Sequence, residues 1–202
     1  LRTILKTMER LSCFFATKVI PEGKGVLESL KRDNITKKPL QVIHYGNING
    51  KDTEHFSRAN TLQTASFNHA DKNISLCNLS EKEAKNLIRK ELGFSNNDFV
   101  FIFIGRLVND KGLRELADAM RKLEDENITI KLLLLGSLDG EDDVLAKDKL
   151  NYLMQSTNVK YVGSQSDIRP YLMASDALVF PSYREGFPNV PIEAGAMGLP
   201  TI

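Results

Sequence analysis

The chain has 202 residues, 42% of them hydrophobic and 26% charged, and its 27 basic side chains nearly balance 26 acidic ones at a net charge of +1. That length holds one large α/β domain, or one domain and part of another, and the charge balance excludes a protein built to bind polyanions such as nucleic acid. Composition near the globular average excludes wholesale disorder, and no apolar run approaches the roughly 18 residues needed to cross a bilayer. Two cysteines, Cys13 and Cys77, are too few for a four-cysteine zinc site or a disulfide scaffold and fit a reducing compartment. The chain starts at Leu1 and stops at Ile202 inside an apolar run, so it reads as a piece of a longer protein.

The spacing of Ile4, Leu5, Met8 and Leu11 predicts a helix over residues 1–15. Residues 17–20 read as a short strand ended by Pro21, residues 22–33 as a second helix, and residues 40–43 as another short strand. Residues 1–70 hold 11 Lys/Arg against 6 Asp/Glu. Such a basic front end suits an anionic membrane surface, although ordinary surface variation is the better explanation. From His44 to Leu79 the chain is polar and aperiodic, and reads as a long connection between structural units.

Order returns at Ser80, where Ser80 and Glu83 form an S-x-x-E capping box and Gly93 supplies the stop. Four apolar runs follow, at 99–104, 130–135, 159–162 and 177–180, ended by Gly105, Gly136, Gly163 and Pro181. Between them lie helical stretches: the stripe Leu113, Leu116, Ala117, Met120 and Leu123, one over 142–155, and a short one with Asp167 and Pro170 in its first turn. Residues 189–197 read as helix and 199–202 as the start of a fifth strand. Runs apolar on both faces belong inside a parallel sheet. Strand–helix alternation therefore predicts a Rossmann-like, doubly wound α/β domain, whose ligands bind beyond the C-terminal ends of the strands.

Two segments follow strand ends and carry chemistry. After the first strand comes Gly105-Arg106-x4-Lys111-Gly112, which places two cations beside a helix start, a setting that suits a diphosphate. Neither the G-x-G-x-x-G fingerprint nor a P-loop is present, and two basic residues on a turn are more often ordinary solvated surface. After the fourth strand comes the run from Pro181 to Gly198. The backbone N–H groups of Gly186, Phe187, Asn189 and Val190 lie at or next to a helix start, with Asn189 as its N-cap and Pro191 in its first turn. Glu185 precedes that helix and Glu193 lies about one turn into it. Carboxylates repel an anion but accept sugar hydroxyls, so one could hold a hexose and the other a ribose. The alternative, an exposed loop charge and a surface helix residue, has equal standing on physics alone.

At this point the sequence resembles a family. Glu185-x7-Glu193, within Pro-Ser-x-x-Glu-Gly-Phe-Pro, looks like the E-x7-E signature of the family-4 retaining glycosyltransferases of the GT-B fold. Gly105-Arg106-x4-Lys111-Gly112 resembles their diphosphate motif, and Gly163-x3-Asp167-Ile168 and Ala174-Ser-Asp176 match their phrasing. The resemblance is strong over 99–202 and weaker over 40–56. It implies a remnant of an N-terminal acceptor domain at 1–43, an interdomain connection at 44–80, and a donor-binding domain, incomplete at its C-terminus, at 81–202.

The resemblance also implies roles. Arg106 and Lys111 hold the donor diphosphate and stabilise the leaving group, Glu185 contacts the donor sugar, and Glu193 binds the ribose. Gly105, Gly186, Phe187, Asn189 and Val190 line the sugar–phosphate site, and the strand end at Val162 and Gly163 holds the base. The donor is a nucleotide-diphosphate sugar, with uridine the commonest base in the family. The acceptor is a polysaccharide or a lipid-linked glycan, and no metal or other cofactor is needed. The enzyme is cytoplasmic or peripheral at the inner membrane face, attached through a missing N-terminal domain, and this fragment alone is inactive. Two other readings stand beside it: a non-catalytic sugar-nucleotide binding module, and another GT-B enzyme such as a sugar-nucleotide epimerase.

Other signals rank lower. Asp139-Gly-Glu141-Asp142-Asp143 could form a metal site, but acidic residues are favoured at a helix start anyway. Cys13 and Cys77 read as packing residues, Phe14-Phe15 and Phe101/Phe103 as core, and Met120, Met154 and Met173 as core fillers.

Overall fold

The computed structural model describes residues 2–44, 46, 50–138 and 145–202. It contains two compact units, residues 1–51 with Glu185–Asn189, and Asp52–Arg184 with Val190–Ile202. No helix among the described residues is long and apolar enough to cross a membrane.

In the first unit, α1 (Arg2–Phe15) and α2 (Lys24–Arg32) fall where the periodicity places them. The expected strands at 17–20 and 40–43 reduce to a single parallel bridge between Val19 and Leu40. Cys13, Leu30 and Ile35 form a small buried core, flanked by Val19, Val26 and Leu40. The Lys38 ammonium closes the C-terminal end of α1, donating to the carbonyls of Cys13 (2.8 Å), Phe14 (2.7 Å) and Ala16. Phe14 and Phe15, expected in the core, are instead exposed, as are Ile4, Leu5, Met8 and Leu11. The apolar stripe of α1 is wider than this small core can cover.

The second unit opens with the largest correction. The stretch expected to be a connection contains α3 (Arg58–Thr64), capped by the Ser57 hydroxyl, and an antiparallel hairpin of β1 (Ser66–His69) and β2 (Lys72–Ser75). Phe67 and Leu76 are fully buried, so the segment is folded into the core. Then α4 (Glu81–Leu92) starts in the expected reciprocal capping box of Ser80 and Glu83, and ends at Gly93 in the left-handed region.

A four-stranded parallel sheet follows, ordered β5 (Val159–Tyr161), β4 (Lys131–Leu135), β3 (Val100–Ile104), β6 (Ala177–Leu178). A bridge from Leu178 to Thr201 adds the start of a fifth strand beside β6. The helices between strands are α5 (Leu113–Asp125), α6 (Lys147–Gln155), α7 (Arg169–Ala174) and α8 (Asn189–Ala196). Helix α6 starts at Lys147 rather than 142, and residues 142–144 lie outside the described set.

Side-chain alternation explains the layers. Val100, Ile102, Leu133 and Leu135 bury one sheet face with α4, α7, α8 and Phe67. Phe103, Leu132 and Leu134 bury the other with Leu113, Leu116, Ala117 and Met120 of α5 and Leu153 of α6. Met120 and Met173 are core as expected, whereas Met154 and Cys77 are exposed, because each sits on the outward side of its segment. Order 5-4-3-6 puts the topological switch point between β3 and β6.

A buried charge cluster holds the N-terminal edge of this sheet. Asp176 accepts from Val100 N–H (2.8 Å), Arg89 (2.6 Å) and Lys85 (2.7 Å). Arg89 is 3% exposed and also donates to the carbonyls of Ala174, Asn96 and Asp98. Burial alone would raise the Asp176 pKa, but the bonds from Lys85, Val100 N–H and Arg89 outweigh it and hold the carboxyl below its ordinary value. A depressed carboxylate stabilises the fold above the unfolded pKa near 4 and loses that contribution as pH falls through the folded value. Asp176→Ala strands the buried guanidinium and should cost about 3 kcal/mol, read as a lower urea midpoint at pH 7. The loss should shrink below about pH 4; a pH-independent loss would count against the pair.

Candidate functional site

The C-terminal ends of the strands are built from backbone. Gly105 N–H donates to Leu135 O (3.0 Å), Leu107 N–H to Ser137 O (2.8 Å), and Gly136 N–H to Gly163 O (3.0 Å). Tyr161 Oη donates to Gly136 O (3.0 Å). Gly136 has φ +144°, and a Cβ placed there would lie 1.7 Å from Gly105 O. Only a residue without a side chain permits this approach at position 136, which lies between Gly105 and Gly163 at the ends of β3 and β5.

The loops leaving β3 and β6 meet at the switch point. Asn109–Lys111 make a 3₁₀ turn ended by Gly112 at φ +73°, where a Cβ would come within 2.3 Å of Pro181 O. Tyr183 N–H donates to Asp110 O (3.0 Å), and Arg184 pairs with Asp110 at 3.4 Å. The Lys111 ammonium lies 3.4 Å from Arg184 O. The Glu115 carboxylate of α5, near the Tyr183 hydroxyl, raises the pKa of that tyrosine. Arg106 is exposed and Lys111 half-buried. Both cations thus stand on short, braced turns at the mouth of the sheet.

Glu193 is 7% exposed, which removes the surface reading of this residue. A buried carboxylate is costly unless it is hydrogen-bonded, so its place in α8 is a built feature. Helix α8 begins at Asn189 itself, making Asn189 the first helical residue rather than the N-cap. Val190 is half-buried against the core of the second unit. Val162 and Gly163 line an open cleft of about 730 Å³ whose other wall is the β1–β2 turn.

Glu185, Gly186, Phe187 and Asn189 belong to the first unit. There a Cβ on Gly23 would lie 2.7 Å from Gly186 O, and one on Gly46, at φ +109°, would lie 2.9 Å from the Phe187 ring. Glu22 reaches the same loop, its carboxylate 3.0 Å from where a Gly186 Cβ would sit. Sequence reasoning missed Glu22, Gly23 and Gly46 as partners of this loop. The only signal was the punctuation Pro21-Glu-Gly-Lys-Gly. Glu185 is exposed.

Two motif residues prove to be structural. Asp176 is the brace described above. Asp167 accepts from Arg169 through Nε (2.9 Å) and Nη2 (2.7 Å), and Arg169 also donates to Asn60 (3.0 Å) and Thr64 (3.0 Å) of α3. Among the described residues no group of three or more His, Cys, Asp or Glu is placed to hold a metal ion. The acidic run Asp139–Asp143 lies outside those residues.

Residues 84–202 match the family model described as glycosyl transferases group 1. Staphylococcus aureus CapM, a capsular polysaccharide biosynthesis glycosyltransferase, is 31% identical over 200 residues, covering 98% of this chain and 46% of CapM. Bacillus subtilis TuaC, a putative teichuronic acid biosynthesis glycosyltransferase, is 37% identical over 121 residues, covering 60% of this chain and 28% of TuaC. The crystal structure of Anabaena HepE in complex with UDP-glucose superposes with a TM-score of 0.73 at 24% identity, over 99% of this chain and 48% of HepE. The chain thus spans just under half the length of CapM and HepE. The shared fold is the Rossmann-like α/β architecture of GT-B glycosyltransferases.

Gly136→Ala should force the Gly105–Arg106 backbone to move and lower the unfolding temperature by roughly 5 °C or more, since 1 kcal/mol is worth about 2–4 °C at this size. Gly25→Ala, with nothing within 4 Å of its Cβ, should leave the temperature unchanged or slightly raised. Equal effects in the two variants would show that Gly136 is not a packing constraint.

Proposed function

The chain belongs to the group 1 glycosyl transferase family, and from that premise we propose that it carries the donor site of a retaining hexosyltransferase. The observation that carries this reading is the pair Arg106 and Lys111 on braced turns at the switch point, in the same unit as the buried carboxylate Glu193. Arg106 and Lys111 bind the donor diphosphate. As the bond from the sugar to the phosphate oxygen breaks, they stabilise the charge that develops on the leaving nucleotide. Glu193 accepts the ribose hydroxyls, for which a buried, fixed carboxylate is better suited than a mobile surface one. Glu185 contacts the donor sugar, and Gly105, Gly186, Phe187, Asn189 and Val190 line the sugar–phosphate site. Val162 and Gly163 hold the base.

The donor is a UDP-sugar, a choice supported by the UDP-glucose bound in HepE. The acceptor is a polysaccharide or lipid-linked glycan of the cell envelope, in keeping with the capsular and teichuronic acid roles of CapM and TuaC. Protein cations do the electrostatic work here, so the chemistry requires no metal. The protein acts in the cytoplasm or at the inner face of the membrane, and the chain by itself binds donor without turning it over.

A thermal-shift panel with UDP, GDP, ADP and their sugars, with and without EDTA, tests the donor site. One nucleotide at about 100 times its Kd should add roughly 2.7 kcal/mol, a rise of roughly 5–10 °C. The rise should be insensitive to EDTA and abolished in Arg106→Ala and Glu193→Ala. No shift with any nucleotide would sink the reading.

A further inference from the structure

The cleft beside Val162 and Gly163 has a second wall that no motif announced. It is the turn of the β1–β2 hairpin, from which Asn68, His69, Asp71 and Asn73 line the cleft together with Gln165. The hairpin is anchored firmly. Phe67 is fully buried, packs edge-on against Tyr171 at 5.4 Å, and Tyr171 Oη donates to Asn68 O (2.6 Å). The His69 ring lies nearly parallel to Phe67, centroids 5.9 Å apart and planes inclined by 29°. The imidazole is therefore held in place by a side chain that cannot move without opening the core. Neither of its ring nitrogens has a hydrogen-bond partner among the described residues. Burial, with Lys160 and Lys72 nearby, pushes its pKa down, so at pH 7 the ring is neutral and presents one donor and one acceptor.

The chemistry of this wall is that of a heterocycle reader. Imidazole and carboxamide groups both donate and accept, matching the mixed edge of a nucleobase. The wall's one cation, Lys72, is paired with Glu91 at 2.5 Å, so the cleft is poorly suited to a second phosphate. Position agrees. From Gly105 at β3 to Gly163 at β5 is two strand spacings, roughly 10 Å. That is the direction in which a nucleoside would extend from a diphosphate held by Arg106 and Lys111. We infer that the β1–β2 hairpin forms the outer wall of the nucleobase pocket, with His69 hydrogen-bonding the edge of the base and setting which nucleotide the donor site accepts. This rests on the donor-site reading and adds to it a specificity residue from a segment that resembled a plain connection.

Isothermal titration tests it, using inorganic pyrophosphate and whichever of UDP, GDP and ADP binds the wild-type chain most tightly. Loss of one base contact in His69→Ala should weaken the nucleotide about five- to tenfold and leave pyrophosphate affinity unchanged. Arg106→Ala should weaken both. A nucleotide affinity unchanged in His69→Ala, or a nucleotide and pyrophosphate weakened alike, overturns the inference while the donor site stands. Absence of all nucleotide binding in the wild-type chain overturns both. If His69→Ala unfolds, the wild-type protein still decides the matter by NMR. The His69 ring signals should move with the nucleotide and not with pyrophosphate, and a ring that ignores the nucleotide refutes the contact.

Discussion

The sheet depends on how Asp176 and Arg89 close its N-terminal edge. Strand β6 is only two residues long, well short of the usual five or six, and it cannot fix its own register. Asp176 does so from just outside the strand. Its backbone N–H donates to Val100 O, and its carboxylate accepts the Val100 N–H. Arg89 and Lys85 then lock that carboxylate to α4. Because strands rise by a fixed step per residue, fixing the start of β3 against β6 also fixes where both strands end. The loops at Gly105 and Pro181 can meet only because their strands begin in register on the opposite edge. The charge cluster buried at one edge therefore positions the candidate site at the other.

At that other edge the protein uses backbone where it needs closeness and side chains where it needs charge. Gly136 against Gly105 and Gly112 against Pro181 bring main chains within van der Waals range, leaving N–H and C=O groups at the mouth of the sheet. Arg106 and Lys111 bring positive charge to the turns there, which Asp110, Tyr183 and Arg184 help to hold. Glu193 is treated in the opposite way, buried inside a helix face. Burial in the helix face fixes the directions in which its oxygens can accept hydrogen bonds.

Most of the parallel domain was legible because its signals are local. Continuous apolar runs ended by glycine, the Ser80–Glu83 capping box and Gly93 each act within a few residues, and each fell in place. The hairpin was illegible for equally local reasons. Its two turn residues, Ala70 and Asp71, adopt φ +47° and +62°, a conformation usually supplied by Asn-Gly or Asp-Gly, and its strands are four residues long and rich in Asn, Ser and His. Only the distant Tyr171 makes sense of Phe67. The motif spacing pointed to Glu193 without revealing its burial, which is a property of packing around α8. The loop at Gly186 and Phe187 was legible as a motif, yet its glycine partners Gly23 and Gly46 lie more than 130 residues away in sequence. Phe14 and Phe15 failed in the other direction, since an apolar pair predicts a core only where the fold supplies enough facing surface.

On the reading inferred for His69, the hairpin is a recognition element placed where local signals are weakest. Diphosphate and ribose are common to nucleotide donors, and the residues proposed to face them sit on strand ends and helix starts that the sheet constrains. The base is what differs between donors. A device that reads it gains from a segment anchored to the core, here through Phe67 and Tyr171, with its turn left outside the packing. Exposed side chains such as Asn68 and Asn73 can then be exchanged without disturbing the parallel sheet. The same freedom erases periodicity and turn signatures from the sequence, because no packing rule dictates which side chains stand there. A polar, aperiodic stretch inside an otherwise regular α/β domain is thus a place to search for specificity once the fold shows which strand end it faces.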